Sequence, residues 1–187
     1  MRGGGFVDKD EMKRRAAAAI DAAAAELEAL ARDIEREPEL GFKEKKTAAK
    51  VEKYLTALGL SPETGLALTG VKARARSGQA GPTVAVLSEL DAVGTPDSPK
   101  ADPLTGAAHT CGHFLQMTTM LAAAEGLVKS GVLPELSGDV VFFAVPAEEY
   151  VEIEYRRRLM GEGKLHYLCG KDELIYEGHF DDIDMAM

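Results

Sequence analysis

The sequence has few of the features that mark a secreted or membrane protein. Its 187 residues include only two cysteines, Cys111 and Cys169, which is too few for a disulfide framework. No apolar run approaches the length needed to cross a bilayer. The start of the chain, MRGGGFVDKDEMKRR, lacks the continuous apolar segment of an export signal. We therefore expect no membrane association and a cytoplasmic location.

The chain is also poor in basic residues. It has 22 lysines and arginines against 31 acidic residues, which gives a formal net charge of −9 at pH 7. The only basic cluster, residues 156–158, is short and follows an acidic stretch. Because an acidic surface repels phosphate backbones and anionic lipids, we expect no nucleic acid partner.

The order of apolar patterns predicts helices alternating with strands. The helices are predicted at residues 10–35, 43–58 and 114–129, with weaker helical patches at 150–160 and 164–177. The strands are predicted at residues 71–76, 84–87 and 140–145. Pro38 ends the first helix, and Gly59 is placed to cap the second.

The first strand differs in pattern from the other two. Val71, Ala73 and Ala75 alternate with lysine and arginine, as expected for a strand with one exposed face. The runs at 84–87 and 140–145 are apolar throughout, which is typical of strands buried on both faces. Helices alternating with such strands indicate one domain with a layered α/β architecture and a mixed, mostly parallel sheet.

Acidic side chains collect where the two buried strands end. They form two pairs, Glu89 with Asp91 and Glu148 with Glu149. In open α/β sheets, sites form in the crevice outside the carboxyl ends of the strands. Carboxylates that meet other ionisable groups in such a crevice would carry uncompensated charge unless a cation held them.

The segment GAAHTCGHFLQ, residues 106–116, adds a thiol and imidazoles to this region. Cys111 and His113 are two positions apart, so in an extended segment they project to the same side, and Gly112 leaves room for a close backbone. The N-terminus of the following helix favours a thiolate. Thiolate, imidazole and carboxylate all bind zinc. The sequence therefore predicts a divalent metal site at the carboxyl ends of the strands.

The adjacent residues Glu148 and Glu149 point in different directions. One of them can bind a metal while the other stays free as a general base. This division of roles is needed where a water beside a metal must lose a proton.

Taken singly, each motif also fits a role without metal chemistry. A C-x-H triplet is typical of a structural thiol with a capping histidine, and paired glutamates are typical of a solvated helix start. Glu89 and Asp91 fit a turn, and His109 fits a hydrogen bond within a loop. A different catalytic interpretation makes Cys111 a nucleophile with His109 or His113 as its base, as in cysteine hydrolases.

Five segments occur together and in the same order in a known family. They are EPELGFKEKKTA (37–48), VAVLSELDAVG (84–94), GAAHTCGH (106–113), GDVVFFAVPAEE (138–149) and GHFDDIDMAM (178–187). With them the chain resembles the N-terminal part of the M20 metallopeptidase and amidohydrolase family. The branch is the one with aminoacylase-like, aminobenzoyl-glutamate hydrolase-like and M20-domain dipeptidase members. The resemblance covers nearly the whole chain.

The resemblance implies a pair of zinc or manganese ions that hydrolyse an amide bond in an N-acyl amino acid or a dipeptide. The implied metal ligands are Cys111, His113 and Glu149. Glu148 is implied as the general base that later acts as an acid. Supporting positions beside the metals are assigned to Asp91, His109 and Glu89. A homo-oligomer is compatible with the family pattern.

The chain departs from the family pattern in three places. Phe114 stands where relatives carry Asp or Asn, so a hydrogen bond beside the metals is either missing or supplied by another residue. Residues 150–177 form a longer segment than in many amidohydrolases, which points toward the dipeptidase-like members. The chain stops at Met187, before the further histidine ligands of the family.

These departures lead us to expect that residues 1–187 form a single partial catalytic domain, without the lid or dimerisation domain and the last strands. Three ligands are too few to complete the coordination of two metal ions. We expect at most one weakly held ion and little or no amide hydrolysis by this chain alone. The alternative is a non-catalytic α/β module that binds a partner.

Overall fold

The computed structural model describes residues 8–187, so the glycine-rich start lies outside the described part. The helices are α1 (Lys9–Arg36), α2 (Lys45–Ala57), α3 (His113–Lys129), α4 (Ile153–Gly161) and α5 (Gly170–Tyr176), with a short 3-10 helix at Leu133–Glu135. The strands are β1 (Glu63–Leu66), β2 (Gly70–Ala75), β3 (Thr83–Glu89), β4 (Val93–Gly94), β5 (Ala107–Ala108), β6 (Asp139–Val145) and β7 (Met185–Ala186). The predicted helices and strands are therefore confirmed, whereas β1, β4, β5 and β7 were not predicted.

Local signals explain where the first two helices begin and end. Asp8 caps α1, because its side chain accepts a hydrogen bond of 3.0 Å from the Asp10 N–H. The helix ends just before Pro38. Gly59, with a φ of +84°, follows α2, and the Leu60 N–H donates to the Leu55 carbonyl at 3.1 Å. This is the glycine-capped helix end that the sequence predicts.

Five strands form one mixed sheet in the order β1-β2-β6-β3-β7. Strand β3 runs parallel to both β6 and β7. Strand β2 runs antiparallel to β6 and to β1. Strands β4 and β5 form a separate two-stranded sheet. The predicted α/β class with a mixed sheet is confirmed.

Helices cover both faces of the sheet because the buried strands are apolar on both sides. Phe142 and Ala144 of β6 pack in a core cluster with α1, α2 and α3. Val141, Phe143 and Val145 alternate with them and pack in a second cluster with α4 and α5. The continuous apolar run of β6 is therefore explained by burial on both faces.

The prediction that β2 has one exposed face is wrong. Lys72 is 8% exposed, and its Nζ donates to the His179 carbonyl at 2.7 Å and pairs with Asp182 at 3.0 Å. Arg74 also pairs with Asp182, and with Asp139 at 3.5 Å. The charged side chains of β2 are covered because the segment before β7 folds across them and supplies their counter-charges.

None of the helices within residues 8–187 combines the length and the apolar character needed to span a membrane.

Candidate metal centre

The parallel pairing of β3 with β6 brings the predicted polar residues to one edge of the sheet. Glu89, the last residue of β3, is in register with Val145, the last residue of β6. Beyond the strands, the Leu90 N–H still donates to the Val145 carbonyl at 2.9 Å. The residues that follow the two strands therefore leave the sheet side by side, as expected for carboxyl ends of parallel strands.

Three of the predicted ligands meet at this edge. One donor atom each from Cys111, His113 and Glu149 lies within 4.8 Å of the others, and this is the only such group among residues 8–187. Gly112, with a φ of +89°, makes the left-handed turn before α3 that glycine adopts without strain. The turn lets the thiol and the imidazole approach the same point from the start of one helix.

Asp91 holds two members of this group in place. Its carbonyl is 2.9 Å from His113 Nδ1, and its Oδ2 accepts a hydrogen bond of 3.0 Å from the Glu149 N–H. Because Nδ1 faces this carbonyl, Nε2 is the nitrogen that faces the glutamates, 3.8 Å from Glu148 Oε2 and 4.0 Å from Glu149 Oε1. A second group that fixes the orientation of a ligating imidazole is usual in metal sites.

The ionisable groups of the site perturb one another strongly. Burial alone would lower the pKa of His113, but the hydrogen bonds to Asp91 and Cys111 raise it to about 11. Burial and repulsion by Glu148 raise the pKa of Glu149. Without a metal the imidazole is therefore a cation among carboxylates, so the arrangement favours positive charge at this point.

Glu148 and Glu89 border the donor group without joining it. Glu148 is partly exposed, and the Lys171 Nζ lies 3.9 Å from its Oε1. The same Lys171 Nζ pairs with the buried Glu89 at 2.7 Å. Although burial opposes it, this contact with Glu89 raises the pKa of Lys171. Lys171, at the start of α5, was not predicted as a site residue, because its helix reaches the site only through the tertiary fold.

His109 lies outside the group of three donors. It is 8% exposed, and neither ring nitrogen has a hydrogen-bond partner in the described part of the chain. Burial and the neighbouring His113 lower its pKa to about 4. Its ring centroid is 5.7 Å from that of Phe114, which packs against the core cluster beneath α3. The residue that replaces the usual Asp or Asn therefore has an apolar contact.

Two further buried charges surround the turn that carries the glutamates. Glu44 and Arg156 are both 0% exposed and hydrogen-bond to the backbone of Ala147, on opposite sides of its peptide groups. Sequence reasoning did not assign either residue to the site. Glu44 had a signal, since it lies in the segment 37–48 that carries the family resemblance. Nothing in the sequence pointed to Arg156, because the side chains of a short arginine cluster are usually exposed to solvent.

The donor set fits a divalent metal. A thiolate, an imidazole and a carboxylate are the side chains that catalytic zinc sites combine, with one coordination position left for water or substrate. The buried Asp91 Oδ1 and Glu89 Oε2 have no hydrogen-bond partner within residues 8–187. Asp91 Oδ1 lies 3.5 Å from His113 Nδ1, and the other oxygen of Glu89 pairs with Lys171 at 2.7 Å, so without a metal these two cations supply the compensating positive charge.

The comparisons with known proteins agree with this class of fold. No family model matches the sequence. The chain is 34% identical over 134 residues to YhaA of Bacillus subtilis, which is named as an amidohydrolase; the match covers 70% of this chain and 33% of YhaA. It is 35% identical over 122 residues to thermostable carboxypeptidase 2 of Saccharolobus solfataricus, covering 63% of this chain and 30% of the relative.

A plant relative and a solved structure extend the comparison. The chain is 36% identical over 121 residues to IAA-amino acid hydrolase ILR1-like 5 of Arabidopsis thaliana, covering 63% of this chain and 27% of the relative. The crystal structure of the Bacillus subtilis YXEP protein, described as a dinuclear metal binding peptidase from the M20 family, superposes with a TM-score of 0.69. That match has 24% identity and covers 89% of this chain and 42% of the other.

These matches confirm the resemblance to the M20 metallopeptidases and amidohydrolases that the five segments predict. The chain spans 27% to 33% of the length of the curated relatives described above.

Proposed function

We propose that this chain supplies the metal-binding and proton-transferring part of an M20-type amide hydrolase. The observation that carries the proposal is the meeting of Cys111, His113 and Glu149. Their donor atoms lie within 4.8 Å of one another, although they come from two distant segments of the chain. The thiolate favours zinc over manganese, and two free cysteines fit a reducing, cytoplasmic compartment.

In this proposal the site activates water through a metal and a general base. A divalent cation held by the three side chains would polarise the scissile carbonyl and lower the pKa of a water in the site. Glu148 accepts the proton of that water, because its carboxylate borders the donor group and is 3.8 Å from His113 Nε2. It then donates the proton to the departing amine. Asp91 keeps His113 and Glu149 oriented through its two hydrogen bonds.

The number of ligands limits what the chain does alone. Residues 8–187 contain one group of three donors, whereas two tetrahedral sites need more ligands than these. We therefore propose that the chain alone holds one ion and hydrolyses amides slowly. Two ions in a complete enzyme are supported by the description of the YXEP protein as dinuclear.

The substrates that we propose are N-acyl amino acids or dipeptides. The names of the relatives support this class, since they include a carboxypeptidase and an IAA-amino acid hydrolase. Both names describe hydrolysis next to an amino acid.

The proposal is tested by titrating the purified 187-residue chain with zinc in competition with a chromophoric chelator. We expect about one zinc per chain, bound by three protein ligands. Cys111→Ala should abolish this binding. Cys169→Ala is the matched control, because Cys169 is the other free cysteine and lies outside the donor group. A chain that binds no zinc, or equal binding by both variants, would contradict the proposal.

Alkylation separates a metal ligand from a thiol nucleophile. If Cys111 binds the metal, zinc protects it from iodoacetamide and a chelator exposes it again. If it is a nucleophile with His113 as its base, it reacts quickly with or without zinc. Hydrolysis of N-acetyl amino acids that persists in chelator would support the nucleophile and refute the metal mechanism.

A further inference from the structure

The turn that carries both glutamates has an unusual backbone. Ala147 follows Pro146 at the end of β6 and has a φ of +51°, in the left-handed region that residues with a side chain rarely adopt. The turn directs Glu148 and Glu149 toward the donor group. Such a conformation persists only where the surroundings hold it.

Glu44 holds the amide side of Ala147. Its Oε1 accepts a hydrogen bond of 2.8 Å from the Ala147 N–H, and its Oε2 accepts one of 2.6 Å from the Thr69 hydroxyl. The side chain is 0% exposed. Glu44 precedes α2, so this buried carboxyl links the start of that helix to the turn after β6.

Arg156 holds the carbonyl side. Its Nη1 donates to the Ala147 carbonyl at 3.3 Å and to the Leu168 carbonyl at 2.7 Å, and its Nη2 donates to the Glu149 carbonyl. The guanidinium is 0% exposed, and no carboxylate within residues 8–187 forms an ion pair with it. A fully buried charge whose hydrogen-bond acceptors are all backbone carbonyls has a high cost of desolvation. Its position is therefore explained by the turn that it holds.

We propose that Glu44 and Arg156 are positioning residues that clamp Ala147 from both sides and thereby aim Glu148 and Glu149 at the metal. The inference rests on the proposed function and goes beyond it, because neither residue touches the metal ligands' donor atoms. The clamp fixes the amide and the carbonyl of the same residue. A change at either end should therefore turn the glutamate side chains away without removing any ligand.

The first test measures amide hydrogen exchange at residues 147–149 in the full chain without metal. Glu44→Met removes the acceptor at similar volume, and Glu44→Gln keeps an acceptor oxygen. We expect Glu44→Met to speed exchange of the Ala147 amide by at least about 10-fold, since one hydrogen bond is worth about this factor. Glu44→Gln should stay close to the wild type.

Glu173→Met is the matched control for loss of a buried carboxylate. Glu173 is 1% exposed and accepts hydrogen bonds from the His166 and Tyr167 N–H groups, but from no backbone group of residues 146–149. If Glu173→Met speeds Ala147 exchange as much as Glu44→Met does, the effect is general loosening and the clamp is refuted. If Glu44→Met does not fold, Arg156→Lys gives the same test, because lysine keeps the charge but cannot reach all three carbonyls.

The second test measures zinc affinity of the same variants. We expect Glu44→Met and Arg156→Lys to weaken zinc binding by about 10- to 100-fold, the usual effect of residues that orient ligands. Glu44→Gln should restore it. Faster exchange with unchanged zinc affinity would overturn the positioning role. A wild-type chain that binds no zinc would refute the proposed function, while the exchange of Ala147 would still decide whether the clamp exists.

Discussion

The two ends of the parallel pair β3 and β6 differ in how their charges are satisfied. At the amino end, Arg74 pairs with Asp139 and Asp182, and the Ser77 N–H donates to Asp139 at 3.1 Å. At the carboxyl end, buried polar atoms remain without partners. Among residues 8–187 these atoms are Ser88 Oγ, Glu89 Oε2, Asp91 Oδ1, both ring nitrogens of His109, and Arg156 Nε.

The difference indicates that the charged groups at the amino end mainly stabilise the fold, whereas those at the carboxyl end are available to a ligand or a reaction. At the amino end of the sheet, the charged side chains form ion pairs with one another. Unpartnered buried groups reduce stability, so natural proteins keep them chiefly where they serve a ligand or a reaction.

Removing a ligand should affect metal binding only at the carboxyl end. His113→Ala is expected to weaken zinc binding by more than about 100-fold, because ligands matter more than the residues that orient them. Asp139→Asn, at the amino end, should leave zinc affinity unchanged. Chelator competition measures both values. Similar losses in both variants would mean that zinc responds to overall stability, not to the site.

Removing Arg156 at the carboxyl end should lower the free energy of unfolding more than removing Arg74 at the amino end. Arg156→Met removes the hydrogen bonds of a buried guanidinium to three backbone carbonyls, two of which keep another N–H donor, from Gly170 and Val151, and it is expected to lower the free energy of unfolding by about 3 kcal/mol. Arg74→Met should lower it by about 1 kcal/mol, because its partner Asp182 is largely exposed. Urea denaturation gives both values, and the reverse order would contradict the comparison.

The stability of the protein should depend on pH through Glu44. Burial raises the pKa of this carboxyl from its usual 4.5 to about 7. The folded state therefore binds a proton that the unfolded state has lost between these two values. The resulting stability is fully present below about pH 4.5 and is lost as the pH rises through 7.

Glu44→Gln isolates this contribution because glutamine does not titrate. The wild type should lose up to about 3 kcal/mol of unfolding free energy between pH 4.5 and 7 relative to Glu44→Gln. Urea denaturation at a series of pH values measures the difference between the two proteins. Parallel pH profiles would show that Glu44 titrates alike in both states.

The smallest effect is expected for the exposed ion pairs at the amino end. Asp182→Asn removes partners of Lys72 and Arg74, but its own side chain is 58% exposed. We expect a loss of no more than about 1 kcal/mol, which shrinks in 1 M salt because salt screens exposed charges. A larger loss that salt does not change would show that the amino end contains a buried network after all.

The elements with strong local signals could be predicted from the sequence. Asp8, Pro38 and Gly59 mark helix ends through interactions within a few residues, and α1 and α2 match their predicted spans closely. The continuous apolar run of β6 predicted a buried strand for the same reason. Strand β1, with the sequence ETGL, carries no such pattern. It forms because it pairs with β2, a contact that no local window contains.

The arginines at 156–158 show that residue type does not reveal which side chain is buried near the site. The helix α4 turns Arg156 inward to bind the backbone near Ala147, whereas Arg157 and Arg158 stay exposed. Residue type alone favours exposure for all three. Lys72 was assigned to an exposed face for the same reason, and its burial depends on Asp182, which lies 110 residues away.

The sequence by itself determined the chemistry that is available: which side chains can bind a metal, which strands are buried, and which family the chain resembles. The short spacing of Cys111 and His113 is a local property, so it was readable without coordinates. The packed fold was needed to show that Asp91 hydrogen-bonds to two of the three proposed ligands, and that Glu44 and Arg156 surround the turn after β6. These contacts join distant segments, and their geometry follows from the parallel register of β3 and β6, which is a property of the packed sheet.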